Sequence, residues 1–145
     1  MKNMIKFLPI VTSVLLIASS SLFAKDRKWS AATLPSQSTS EINSIATDGK
    51  NAVAVGYNGQ ILLSSNGKTW SKVSSGTTSS LYSVDYDSKT NAFYVSGGDG
   101  VLLRSSNGLK WESINHPNKK TGFYLLGVAR AGKNLIAAGT PGSFL

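Results

Sequence analysis

Gly59-Gln60-Ile61-Leu62-Leu63-Ser64-Ser65-Asn66-Gly67-Lys68-Thr69-Trp70 returns as Gly100-Val101-Leu102-Leu103-Arg104-Ser105-Ser106-Asn107-Gly108-Leu109-Lys110-Trp111, 41 residues later. Ile61, Leu62 and Leu63 form a short apolar run that reads as a buried strand. Ser-Ser-Asn-Gly is turn chemistry: the Asn side chain accepts bonds from amides just downstream, and Gly takes a positive φ. Thr69-Trp70 then opens a second strand, so the unit is a β-hairpin. Trp29 lies 41 residues before Trp70, which puts all three tryptophans of the chain on one repeat lattice.

Working outward, each repeat carries four strands. The first has Ile42 to Ala46, Asn51 to Val55, Gln60 to Ser64 and Thr69 to Val73, with Asp48-Gly49 as the first turn. The second has Leu81 to Tyr86, Asn91 to Val95, Val101 to Ser105 and Lys110 to Ile114. It gains one residue in the turn Asp87-Ser88-Lys89-Thr90 and another in Ser96-Gly97-Gly98-Asp99-Gly100. A third repeat begins near Tyr124, and Gly132 through Leu145 matches Gly49 through Leu62 at an offset of 83. It stops inside its third strand. Four short antiparallel strands per 41 residues is the pattern of a propeller blade. A β-sandwich is the weaker alternative, because whole four-strand units recur.

The pattern Ser-x-Asn-Gly-x-x-Trp resembles the Asp-box of the bacterial neuraminidase repeat. It is closer still to the short form in the photosystem II stability/assembly-factor family, whose members are β-propellers. Asn66 and Asn107 stand where the box usually has Asp, and the turn is one residue shorter than in the long neuraminidase form. The resemblance covers the chain after residue 28. It implies that the box is a structural hairpin remote from the ligand face.

The expected fold is therefore all-β: a partial β-propeller of four-stranded antiparallel blades, two complete (42–74 and 81–115) and a third incomplete (124–145). Residues 1–24 stand apart from it. Lys2 and Lys6 form a basic start, Phe7 to Ala18 an apolar core, and Ser19 to Ala24 a cleavage region, the order of a secretory signal peptide. The core is shorter than the ~20 apolar residues of a membrane span. The protein is thus expected outside the cytoplasm, periplasmic or extracellular, touching the membrane only through the export signal. Removal of 24 residues from 145 leaves 121, as one domain. Its 13 Lys and Arg less seven acids give +6, mostly from lysines scattered through turns. No cysteine is present, so no disulfide or lipid-acylated cysteine forms.

Blade geometry implied by the resemblance sorts the loops. The strand two-to-three loops and the blade connectors share the face where propellers bind. That face carries Tyr57-Asn58, Gly97-Gly98-Asp99, Thr140-Pro141 and the connectors Ser74 to Ser80 and His116 to Phe123. Tyr57, Asn58, Asp99, His116, Lys119, Lys120 and Phe123 are the candidate contact residues, against the plainer reading of exposed basic loops.

Catalysis finds little footing. His116 is the sole histidine and precedes Pro117 in a loop. Arg27, Arg104 and Arg130 occupy different repeat positions, unlike the arginine cluster of a sialidase. Asp85 and Asp87 are the nearest acids, on a strand and its turn, and do not form a glycosidase pair. Metal-ligand spacing is absent, and no cofactor is expected. The Gly97 to Gly100 run has no following helix and is not a phosphate loop. An aromatic–basic platform for nucleic acid is lacking. Two functions stay in play: an exported non-enzymatic scaffold with a protein partner, as the assembly-factor resemblance implies, or a fragment of a neuraminidase-type glycan-binding or glycan-cleaving propeller. Three blades are fewer than the typical 4–8 of a closed ring. The chain is expected to be truncated from a longer propeller, with ring closure between two copies as the other way to complete it.

Overall fold

The computed structural model describes residues 30–36, 40–117, 119, 121–140 and 143–144. The signal-peptide reading, Trp29 and Lys120 fall outside them. Ala32–Leu145 forms one compact unit. Among the described residues it contains three antiparallel sheets in chain order. The first joins β1 (Ile42–Thr47), β2 (Ala52–Gly56), β3 (Ile61–Ser64) and β4 (Ser71–Val73). The second joins β5 (Leu81–Asp87), β6 (Ala92–Gly97), β7 (Leu102–Ser105) and β8 (Glu112–Ser113). The third joins β9 (Tyr124–Ala131), β10 (Asn134–Thr140) and β11 (Ser143–Phe144). This is the up-and-down sheet of a propeller blade, twice complete and once with three strands. The fourth strands are shorter than the sequence suggests, since both tryptophans precede them.

The sheets stack face to face. Val53, Val55 and Ile61 of the first meet Leu81, Val84, Phe93, Val95 and Leu103 of the second in one buried cluster. Ala92, Tyr94 and Leu102, on the opposite face of the second sheet, meet Leu125, Val128 and Ala137 of the third in another. Alternation along each strand is what supplies two apolar faces to the middle blade. Side-chain hydroxyls link the innermost strands: Ser44 Oγ accepts from Val84 N at 3.2 Å, and Ser83 Oγ from Val128 N at 3.4 Å. Asn43 Nδ2 also donates to Leu81 O at 2.8 Å.

The register corrects one expectation. Thr47 pairs with Ala52, whereas its counterpart Tyr86 pairs with Phe93, so both extra residues lie in the first hairpin of the second repeat. The loop before the third strand is unchanged in length: Gly56 N donates to Gln60 O, and Gly97 N to Val101 O. The matched letters Asn51-Ala52 and Asn91-Ala92 suggested otherwise. A slip of one residue exchanges the two faces of a strand. Val53 therefore corresponds to Tyr94, each facing the following blade, while Phe93 faces back toward the first.

Every first strand carries a bulge at one lattice position: between Ile42 and Ser44, at Leu81/Ser83, and where Gly139 pairs with Leu125. A glycine opposes each bulge. A Cβ would lie 2.0 Å from Glu41 O at Gly56, 2.5 Å from Ser80 O at Gly97 and 1.6 Å from Tyr124 O at Gly139. None of the three needs a positive φ; the close backbone approach excludes a side chain.

Candidate functional site

The Asn-Gly turns are closed by their own side chains. Asn66 Oδ1 accepts from Lys68 N and Thr69 N at 2.8 and 2.9 Å. Asn107 Oδ1 accepts from Leu109 N and Lys110 N at 2.9 and 3.1 Å. The first serine of each box holds the turn as well. Ser64 Oγ accepts from Gly67 N at 2.8 Å, and Ser105 Oγ from Gly108 N at 2.9 Å. Trp111 packs on the core of the first two blades and donates Nε1–H to Gly108 O at 3.0 Å.

At the opposite end of the sheets, the loops converge on Gly98–Gly100. Asp99 holds φ +55° and reaches two connectors: Oδ2 accepts from Ser79 Oγ at 2.8 Å, and Oδ1 from Gly122 N at 3.3 Å. Gly100 N donates to Phe123 O at 2.8 Å, and Gly100 O meets His116 Nε2 at 2.7 Å. Lys119 bonds Ser113 Oγ at 2.7 Å through Nζ. Asp99, His116 and Phe123 do come together, and these bonds brace the loop to its connectors. Tyr57 and Asn58 lie a blade away, where Asn58 Nδ2 donates to Ser40 Oγ at 3.3 Å.

A feature not read from the sequence lies on this same face. Tyr57, Tyr82 and Tyr124 form a row across three blades. Tyr57 and Tyr82 meet edge to face, with centroids 6.5 Å apart and planes at 87°. Tyr82 and Tyr124 follow at 6.4 Å and 58°. Tyr57 and Tyr124 are exposed and Tyr82 half-buried. The three occupy different repeat positions: a strand two-to-three loop, a bulge and the residue before a bulge. A search for recurring letters therefore does not find them. Beside Asn58 opens a cleft of about 640 Å³, lined by Gly59, Lys72 and the connector Ser74 to Thr78. Its walls are mostly small hydroxyl and backbone groups.

A second polar cluster ties the second and third sheets together. Asp87 Oδ2 accepts from Thr90 Oγ1 at 2.5 Å and lies 3.1 Å from Arg130 Nε of the third sheet. The Nε–H is not aligned as a hydrogen bond, so this contact is an ion pair only. The Thr90 hydroxyl above all, with the Lys89 and Thr90 amides and the Arg130 charge, holds the Asp87 carboxyl below its usual range. Tyr94 shares Thr90 at 3.2 Å. Burial pushes its phenol up, but the Thr90 and Arg104 bonds outweigh that and lower it. Among the described residues, no three His, Cys, Asp or Glu side chains gather as metal ligands would.

Neither the family models nor the curated proteins contain a match to this chain. Among solved structures it is similar to the WD40 β-propeller domain of Doa1, at 17% identity and a TM-score of 0.50. The likeness covers 70% of this chain and 35% of that one, so the chain spans about a third of the neighbour's length. At this identity the likeness speaks for fold alone. Together with the three stacked antiparallel sheets, it makes the chain a partial β-propeller.

Proposed function

We propose that the chain is an exported, non-enzymatic propeller scaffold of the Asp-box, assembly-factor-like kind, and that it binds a protein partner through its connector face. The carrying observation is the row Tyr57–Tyr82–Tyr124 on that face. Tyrosines give a binding surface large, rigid, amphipathic area at small entropic cost, and aromatic residues are enriched in protein interfaces. The braced Asp99 loop holds the neighbouring connectors in place, so the surface is preorganised. Export rests on the leader-like order of residues 1–24, with blades at 42–74, 81–115 and 124–145.

The test has two arms. Expression of the full chain in a Gram-negative host, followed by fractionation, should yield an exported form whose amino terminus is Lys25. Retention in the cytoplasm would overturn the export reading. The mature chain and its Tyr57→Ala/Tyr124→Ala variant are then compared for capture of protein from the native extracytoplasmic extract and for binding to a glycan panel. Protein capture lost in the variant supports the scaffold. Tyrosine-dependent glycan binding, or glycosidase activity, would replace it with the neuraminidase-type alternative.

A further inference from the structure

An Asp or Asn followed by glycine can close on itself into a succinimide, because a glycine amide has no side chain to shield it. The chain has five such pairs: Asp48-Gly49, Asn58-Gly59, Asn66-Gly67, Asp99-Gly100 and Asn107-Gly108. Ring closure needs the glycine nitrogen to lose its proton and reach the side-chain carbonyl carbon of the residue before it. A hydrogen bond donated by that N–H opposes both steps, since the bond must break first. Four of the five amides are so engaged. Gly49 N donates to Thr47 Oγ1 at 3.1 Å, Gly67 N to Ser64 Oγ at 2.8 Å, Gly100 N to Phe123 O at 2.8 Å and Gly108 N to Ser105 Oγ at 2.9 Å. In both Asn-Gly boxes the side-chain carbonyl is pinned too, by two downstream amides each.

Asn58-Gly59 differs on both counts. Among the described residues, none accepts from Gly59 N and none donates to Asn58 Oδ1. Turn geometry explains this. Asn58 and Gly59 both hold a positive φ, 57° and 66°, and Gln60 N closes the turn on Tyr57 O at 3.1 Å. That is the pattern of a two-residue hairpin turn of the primed kind, closed by the amide after the two central residues rather than by either of theirs. The Asn58 side chain is exposed and held only through Nδ2, which donates to Ser40 Oγ at 3.3 Å. Asn58 and Gly59 also line the open cleft beside the connector Ser74 to Thr78, so water reaches the pair.

We propose that Asn58 is a site of spontaneous covalent modification, and that the bonded glycine amides keep the other four pairs closed to the same reaction. Hydroxide takes the Gly59 N–H proton. The bond from Gly59 N to Asn58 Cγ forms, the bond from Cγ to Nδ2 breaks, and Nδ2 leaves as ammonia. Water then opens the ring at either carbonyl, giving aspartate or isoaspartate, so one water enters for each ammonia lost. Aspartate places a negative charge next to Tyr57 and in the cleft that Lys72 lines. Isoaspartate adds a backbone atom to a turn with no slack: a Cβ at Gly59 would already lie 2.0 Å from Thr77 O, so the connector has to shift. The modification falls on the face that carries the tyrosine row, but it does not depend on what that face binds.

Peptide mapping by mass spectrometry, on the full chain held folded at mildly alkaline pH, tests it. Asn58 should convert at least about fivefold faster than Asn66 or Asn107, the difference that one amide hydrogen bond makes to a barrier. In denaturing urea the three rates should come together, because the Asn-Gly pair is then the same at each site. Ser64→Ala frees the Gly67 amide and should speed conversion of Asn66 about two- to tenfold in the folded chain, leaving Asn58 unchanged. Asn66 or Asn107 converting as fast as Asn58 in the folded wild type would overturn the proposal, a comparison that needs no variant. So would a spread of rates that persists in urea, or an Asn66 no faster in folded Ser64→Ala than in wild type.

Discussion

Gly108, in the second Asn-Gly turn, lies against Leu63 of the preceding sheet so closely that a Cβ would fall 2.7 Å from Leu63 Cδ1 and 3.2 Å from Val53 Cγ2. Its repeat partner Gly67 has the same left-handed φ, 70° against 73°, and no neighbour. The two glycines therefore separate backbone strain from packing. Gly67→Ala should cost about 1 kcal/mol, the penalty of a side chain at positive φ. Gly108→Ala should cost that plus about 1–3 kcal/mol of overpacking. Urea denaturation of the two variants checks the difference; equal costs would mean the turn does not touch the first blade.

Gly97 faces Ser80 O across its bulge, where an added Cβ would sit at 2.5 Å. Since the obstacle is backbone, relief requires moving the connector that Asp99 pins through Ser79. Gly97→Ala should lose more than about 2 kcal/mol, at the upper end of overpacking costs. It should also broaden the amide signals of Ser79 and Ser80. A melting curve and an amide spectrum test both effects.

Ser96 is fully buried, and its Oγ has no partner. The lattice counterpart is Val55, equally buried. A buried hydroxyl without a bond gives up hydration for nothing. Ser96→Val should be neutral or stabilising, by up to about 1 kcal/mol. Chemical denaturation that shows a loss above about 1 kcal/mol would reveal a bond or a steric limit at this site.

Asp87 gives a pH signature. Its carboxyl sits below the usual value of 3.8 because of the Thr90 hydroxyl first, then the amides and Arg130. A folded value below the unfolded one means the folded state binds fewer protons. That contribution is present above the unfolded value and lost as pH falls through the folded one. The stability gap between wild type and Asp87→Asn should be constant from about pH 5 to 8 and shrink below about pH 4. Thermal melts across that range check it.

How much of this was legible in the letters differs by level. Strand order and the box hairpins could be read because Ile-Leu-Leu, Asn-Gly and Trp recur at fixed spacing. The face assignment of β6 could not, because the two-residue insertion in its hairpin lies beside a misleading Asn-Ala match. Only pairing resolves a one-residue slip. The candidate loop residues could be named from the letters, but that Asp99 and His116 brace the loop could not, since backbone groups at Gly100 and Gly122 are invisible to side-chain patterns. The tyrosine row was missed because its members come from three unlike positions that meet only when the blades stack.

The central claim is that successive blades stack through their innermost strands. Val84 N–H points away from β6 and bonds Ser44 Oγ of the preceding blade at 3.2 Å, as Val128 N–H bonds Ser83 Oγ. Amide hydrogen exchange read by NMR tests this directly. Val84 and Val128 should both be protected, and Ser44→Ala should speed exchange at Val84 while leaving Val128 unchanged. Exchange of Val84 in the wild type at the rate of an unstructured peptide, beside protected amides within β6, would contradict the account.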